Sequence, residues 1–423
     1  MAIGHTYSFS SQIRSLKNES TTELYEQWKK MDFRITEEQG LLLDQVDRVC
    51  QQIRPIEDKC YLEGRKNPSV RELLSKAHLF GLPVSINYGE GAGTDALTFT
   101  LVVERLGQEG IGVRTILSAH CSLGEMLLER WGTDDQKRKY LPPATKGDLL
   151  MAFALTEPNA GSDPTGIQTT YGKDGPNYIL NGSKAWISNG STAGLITIFA
   201  KSKEDGKISA FLVEPKFDGF SSKEITNKLG LPTADVSMVY LNDCSVPSEN
   251  LLGTEGRGLG IAYSALMNAR LSVAAGSVGV IQDCLAESLQ YARTRVQHGK
   301  EIGKHQLVQR HIAIIATNLE ASRQLTYKAA YEKNRYDQTR NDRNIRDEAD
   351  LSISLAKYFG SNASFDAADR AVQVFGANGY SFANRPARHL ADTRVTRIYE
   401  GTDEIIQLKI ARSYLGTGFD AFS

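Results

Sequence analysis

The spacing of apolar residues along this chain changes character twice. From about residue 36 to about residue 146 it is helical, with Leu42, Val46, Val49 and Ile53 recurring at three- and four-residue intervals. Thr36 and Gln39 stand where a capping box would start that helix, and Pro55 is expected to end or bend it. The glycines at 81 and 89–93 mark a loop, after which helical texture resumes over 96–107 and 114–132. Between about 152 and 250 the runs become short and β-rich, at 153–155, 178–180, 195–200, 208–213 and 236–241, with Asn181-Gly and Asn189-Gly as turn dipeptides. Long helical periods return over 259–293, 307–333 and 349–376. The highly charged stretch 333–350 reads as the connection between two antiparallel helices, and a last helix is expected over 403–414.

This order predicts an α+β multidomain chain: a polar lead-in over 1–34, an all-α domain over 35–150, a small β domain over 151–257 and a helical domain over 258–423. No helical crossovers separate the β runs, so the middle part reads as a mostly antiparallel barrel or sandwich, and Rossmann and TIM architectures are excluded. Lys plus Arg (49) against Asp plus Glu (50) leaves a net charge of −1, which argues against nucleic acid or anionic lipid as a partner. Cys50, Cys60, Cys121, Cys244 and Cys284 are scattered and odd in number. Neither a disulfide framework nor a zinc site is indicated, and a reducing compartment is expected, the cytoplasm or, in a eukaryote, the mitochondrial matrix. His305 and His311 are too far apart on a helix to share a metal, no membrane span is expected, and no secretory signal is seen.

The glycine clusters 89–93 and 256–260 lack the flanking strand and Lys-Ser/Thr of a phosphate loop and read as turns. Taken singly, the remaining polar segments also have plain structural readings. Thr156 would sit in a Ser/Thr turn, Trp186 in a core, Arg295 on a solvated helix face and Glu400 in a first helical turn with Thr402 as N-cap.

Five segments in order change that balance: 154–163 (ALTEPNAGSD), 185–189 (AWISN), 295–299 (RVQHG), 373–380 (QVFGANGY) and 398–402 (IYEGT). Together they closely resemble the acyl-CoA dehydrogenase family of flavoenzymes over about residues 35–415. The resemblance implies a C-terminal four-helix bundle, bound FAD and a homotetramer built as a dimer of dimers. It places Phe153, Leu155, Thr156, Gly161, Ser162, Trp186, Ile187 and Ser188 along the flavin, whose ring is best gripped by neutral donors. Arg295 suits the FAD pyrophosphate. His298, Gln306, Thr402, Glu404 and the Gln373, Val374, Phe375, Gly376 and Ala377 loop complete the implied cofactor set, the loop reaching the FAD of a neighbouring subunit. His298 stands where the family usually has Phe, and Ala377 where it usually has Gly.

Glu400 is the implied catalytic base. It would take the α-proton of an acyl-CoA while the β-hydrogen leaves as hydride to flavin N5, giving a trans-2-enoyl-CoA. Some branches place the base just before the residue matching Arg270; here that position is Ala269, so Glu400 alone can serve. Thr115, Ser162, Arg270, Tyr399 and Gly401 fall beside the implied substrate. Arg114 and Ser118, four apart in the region lining the acyl pocket, are similar to the pattern in glutaryl-CoA dehydrogenase, which suggests a short acyl chain with a carboxylate or polar tail. Against this stands a plain short-, medium- or branched-chain pocket in which Arg114 pairs with Glu109 or Glu125. An electron-transferring flavoprotein is the implied electron acceptor. A flavin oxidase or monooxygenase, or a non-catalytic assembly protein, would be expected to lose Glu400 or the flavin motifs, and both survive.

Overall fold

A computed structural model describes residues 34–339, 342–419 and 421, so the expected lead-in lies almost entirely outside the described residues. The chain divides into two compact units, Met1–Gly40 and Leu41–Ser423. In the described part of the first, Thr36 and Gln39 form the capping box, each side chain bonding the other's backbone N–H (3.0 and 3.2 Å).

Helix α1 spans Glu37–Glu63 and does not end at Pro55. Its buried stripe continues past the proline with Glu57, Cys60 and Tyr61, and that packing outweighs the roughly 3 kcal/mol a mid-helix proline costs. Helices α2 (Ser69–Lys76), α3 (Ala96–Gly107), α4 (Ile111–His120), α5 (Met126–Trp131) and α6 (Asp134–Thr145) follow. A π-helical turn at Cys121–Glu125 joins α4 to α5.

The middle domain is a sheet of eight strands among the described residues: β1 (Met151–Ala154), β2 (Thr170–Asp174), β3 (Asn177–Ser188), β4 (Leu195–Ser202), β5 (Ile208–Val213), β6 (Phe220–Glu224), β7 (Val236–Pro247) and β8 (Leu251–Leu252). Their order is β6-β7-β3-β2-β4-β5-β8, with β1 beside β4. Most pairs are antiparallel, as expected, but β1 and β2 both pair parallel with β4. The β2–β3 hairpin supplies the long crossover that a helix would supply elsewhere. Asn181-Gly182 is no hairpin turn either: it falls at a register shift inside β3, where Gly182 has φ 148°.

Three long helices make the C-terminal domain: α7 (Gly258–Thr294), α8 (Gln306–Thr339) and α9 (Arg343–Phe375). A short hairpin of β9 (Val296–Gln297) and β10 (Lys300–Glu301) links α7 to α8, and α10 (Arg385–Thr396) and α11 (Asp403–Leu415) complete it. The charged stretch 333–350 is itself mostly helical. Its charges lie on helix faces where they pair, Arg335 with Glu332 (2.5 Å) and Glu348 (3.3 Å), and Asp342 caps α9. Helix α7 is long and apolar enough to cross a membrane by length and composition alone, but its apolar window is mostly buried inside the protein. It packs so closely on α3 that a Cβ on Gly107 would sit 2.5 Å from the Gly276 carbonyl oxygen.

Candidate functional site

Between α10 and α11 the chain makes a tight turn, with Ile398 and Tyr399 N–H both donating to Val395 O (2.8 and 3.1 Å). Glu400 has φ 58° and Gly401 φ 100°, two successive residues in the left-handed region. Such a conformation costs a non-glycine residue about 1–3 kcal/mol and persists only where its surroundings enforce it. Two buried cations do so. Arg270 on α7 donates from Nε to the Glu400 carbonyl (2.8 Å), and Lys357 on α9 donates from Nζ to the Gly401 carbonyl (2.7 Å). Thr402 then caps α11 by accepting from Ile405 N–H (3.3 Å), as the sequence suggested.

The Glu400 side chain is held in an unusual field. Its Oε2 is buried with no hydrogen-bond partner among the described residues. Burial drives its pKa up, and the charges of Arg270, Arg114 and Lys357 pull against that without cancelling it. Burial likewise raises the Tyr399 phenol, with Arg114 opposing, and lowers Lys357 to about 8, with Asp403 and Glu400 opposing.

Arg114, 3% exposed, rises from α4 and donates from Nη2 to the Tyr399 hydroxyl, its guanidinium 5.6 Å from the Tyr399 ring centre. Its Nε is buried and unpartnered among the described residues. The expected alternative partners are engaged elsewhere. Glu109 accepts from Arg54 and Arg105 (2.8 Å each), and Glu125 lies 3.1 Å from His120. Arg114 lies over Gly276, where a Cβ would come 3.0 Å from its Nε. Thr115 is buried and bonds back to Ile111 O (2.7 Å), and Ser118, also buried, lies one turn further along α4.

The expected flavin residues of the β domain also converge. Ala185 N–H donates to Thr156 O (2.9 Å), joining the segment after β1 to the end of β3. There the β3–β7 register shifts between Lys184 and Ile187, and Trp186, at φ 62°, is 61% exposed rather than packed in a core. A bulge of this kind re-aims a side chain next to a site. Phe153 packs against Phe199 (4.9 Å between rings), Leu155 and Ile187 are buried, and Gly161 and Ser162 face solvent. Beneath them Lys184, fully buried, bonds Glu157 (2.6 Å) and Leu155 O (3.2 Å), while Glu157 accepts from Gln168 and Thr169 N–H.

The remaining expected cofactor residues belong to the C-terminal helical domain. Arg295 caps the far end of α7, 25 residues beyond Arg270, about 37 Å along a helix axis. It is exposed with no acid partner among the described residues, and His298 (φ 51°) and Gln306 follow close behind. The end of α9 joins this region through Phe375, stacked on Tyr291 at 4.1 Å. Val374 and Phe375 are buried there with Ala292 and Ile302, leaving Gln373, Gly376 and Ala377 at the surface. Glu404 is exposed in the first turn of α11. Neutral hydroxyls and an exposed indole at one region, and an unpaired guanidinium at the other, suit a flavin ring and a pyrophosphate respectively.

Sequence reasoning did not single out Lys357 or the Lys184–Glu157 pair. The available signal was a lysine on an otherwise small and apolar helical stripe, Ile353, Ala356, Gly360 and Ser364.

Family models for the acyl-CoA dehydrogenase N-terminal, middle and C-terminal domains match residues 36–148, 152–244 and 256–415. The chain is 35% identical over 389 residues to a short-chain-specific acyl-CoA dehydrogenase of Clostridium acetobutylicum, covering 90% of this chain and 99% of the relative. Among solved structures it is similar to butyryl-CoA dehydrogenase from Megasphaera elsdenii (TM-score 0.85, 35% identity, 91% of this chain and 100% of that one). It is also similar to a glutaryl-coenzyme A dehydrogenase complexed with glutaryl-CoA (0.85, 33%, 91% and 97%). A chain in the structure of the electron transferring flavoprotein of Acidaminococcus fermentans scores 0.86 at 35% identity, covering 91% of this chain and 100% of that one.

Proposed function

Because the chain belongs to the acyl-CoA dehydrogenase family, whose members depend on FAD, we propose that it desaturates a short-chain acyl-CoA thioester with Glu400 as base. One observation carries the residue assignment: a buried carboxyl oxygen without a hydrogen-bond partner among the described residues, on an enforced left-handed turn, facing three cations. FAD, when bound, supplies the hydride acceptor. Glu400 Oε2 accepts the α-proton, and its raised pKa brings its proton affinity toward what that transfer needs near neutral pH. Thr156 and Ser188 supply hydroxyls to the flavin edge, and Trp186 a face to pack on it. Glu400 N–H is offered to the thioester oxygen as negative charge develops there.

The separation of Arg295 from Arg270 supports a cofactor shared between subunits, each chain offering Arg295, His298, Gln306 and the 373–377 segment to its neighbour's FAD. An electron-transferring flavoprotein is the proposed acceptor, in keeping with the family and with the Acidaminococcus fermentans structure.

The short-chain reading follows the names of the relatives, butyryl-CoA dehydrogenase among them. A second reading, a substrate with a carboxylate tail, is favoured by Arg114: its buried Nε has no hydrogen-bond partner among the described residues, and Tyr399 offers only a hydroxyl and a ring face. Anaerobic titration of the FAD-loaded protein with butyryl-CoA and glutaryl-CoA, followed by flavin bleaching, separates the two. The short-chain reading expects faster bleaching with butyryl-CoA and its persistence in Arg114→Gln. Preference for glutaryl-CoA that vanishes in Arg114→Gln overturns it.

A further inference from the structure

Lys357 lies mid-way along α9 and is fully buried, on a stripe otherwise made of Ile353, Ala356, Gly360 and Ser364. Burying an ammonium group is costly, so one that stays buried has to be held by charges and hydrogen bonds around it. Asp403 Oδ1 lies 4.0 Å from Nζ and is buried without a hydrogen bond among the described residues, while its Oδ2 accepts from Arg397 (2.7 Å) and Asn362 (3.1 Å). The hydrogen bond that Lys357 makes goes to the Gly401 carbonyl, as Arg270 holds the carbonyl one residue earlier. Two successive carbonyls of a left-handed turn are thus gripped by cations from separate helices.

We propose that Lys357 is a positioning residue for proton abstraction: its ammonium group holds the Glu400–Gly401 turn in shape and adds a positive charge to the wall facing the Glu400 carboxyl. The proposal rests on Glu400 being the base. The charged and titratable groups around that carboxyl are Arg114 from α4, Arg270 from α7, Lys357 from α9 and Tyr399 of the turn, with Asp403 and Glu404 from α11 facing Lys357. Asp350 and Lys409 lie behind Arg270. Removing Lys357 deletes one of three cations that favour ionised Glu400, so the base should ionise only at higher pH.

The test uses FAD-loaded wild type, Lys357→Met, Lys357→Arg and Glu400→Gln. Each is mixed anaerobically with whichever of butyryl-CoA and glutaryl-CoA bleaches the wild type faster, from about pH 5 to about pH 9. Flavin content is measured alongside. Lys357→Met is expected to keep its FAD, to bleach about 10-fold more slowly or worse, and to show an acid midpoint moved to higher pH. Lys357→Arg, which keeps the charge but not the compact donor, should be slowed with its midpoint unmoved. Wild-type rate and midpoint in Lys357→Met, or a slowing uniform across pH, overturns the proposal and leaves Glu400 as base. Should Lys357→Met fail to fold, wild-type rate in Lys357→Arg overturns it. Full bleaching by Glu400→Gln overturns the base assignment, and the role of Lys357 with it.

Discussion

Two arginines of α7, Arg270 within the helix and Arg295 at its C-terminal cap, have opposite characters. Arg270 is buried, bonded to the Glu400 carbonyl and enclosed by groups of its own chain. Arg295 is exposed and has no acid partner among the described residues. One guanidinium has a structural task inside the fold, and the other is a charge held out for something the chain does not itself provide. A buried cation fixes geometry because moving it would leave polar groups unpaired; an exposed one contributes mainly when a phosphate arrives.

This contrast predicts separable defects. The largest is beside the buried arginine, where Glu400→Gln should lower the rate of flavin bleaching by about 10³-fold while flavin content stays at the wild-type level. Arg270→Gln, which frees the Glu400 carbonyl, should cost about 10²-fold in that rate, again with FAD retained. Arg295→Ala should do the reverse, weakening FAD binding by about 10-fold in a titration of apoprotein while bleaching at saturating FAD stays near normal. If Arg295→Ala instead slowed bleaching at saturating FAD, the division between the two arginines would collapse.

The smallest effect belongs to the middle of the same helix, where Asp283 pairs with Arg385 (2.7 Å), His389 (2.7 Å) and Arg54 (2.8 Å). Burial pushes its pKa up, but Arg385 and the other partners win and hold it well below the usual carboxylate range. A depressed folded-state pKa gives stability that is present above the unfolded value near 4 and is lost as pH falls below it. Thermal melts should therefore show Asp283→Asn less stable than wild type at neutral pH by a few degrees, the gap narrowing below about pH 4.

Much of this was legible in the residues. The switch from helical spacing to short β-rich runs and back locates three domains, the capping box at Thr36 forms, and the IYEGT segment marks the turn that holds Glu400. What escaped are features set by tertiary contact. Pro55 breaks helices on average, yet α1 continues because its buried face does. Parallel pairing of β1 and β2 with β4 depends on where a hairpin folds across, which no local pattern records. The charges of 333–350 resemble a loop until they are seen pairing across helix faces. Lys357 draws no notice until its neighbours are known, and Trp186, taken singly, reads as a core residue until a bulge turns it outward.

Gly276 offers a last point. With only backbone beneath the Arg114 guanidinium, and α3 pressed against the same glycine through Gly107, this position has no slack in either direction. A single methyl group there would have to displace Arg114, and with it the hydroxyl and ring of Tyr399, before it touched any residue assigned a part in the chemistry. The place of this guanidinium is thus set by the absence of a side chain beneath it.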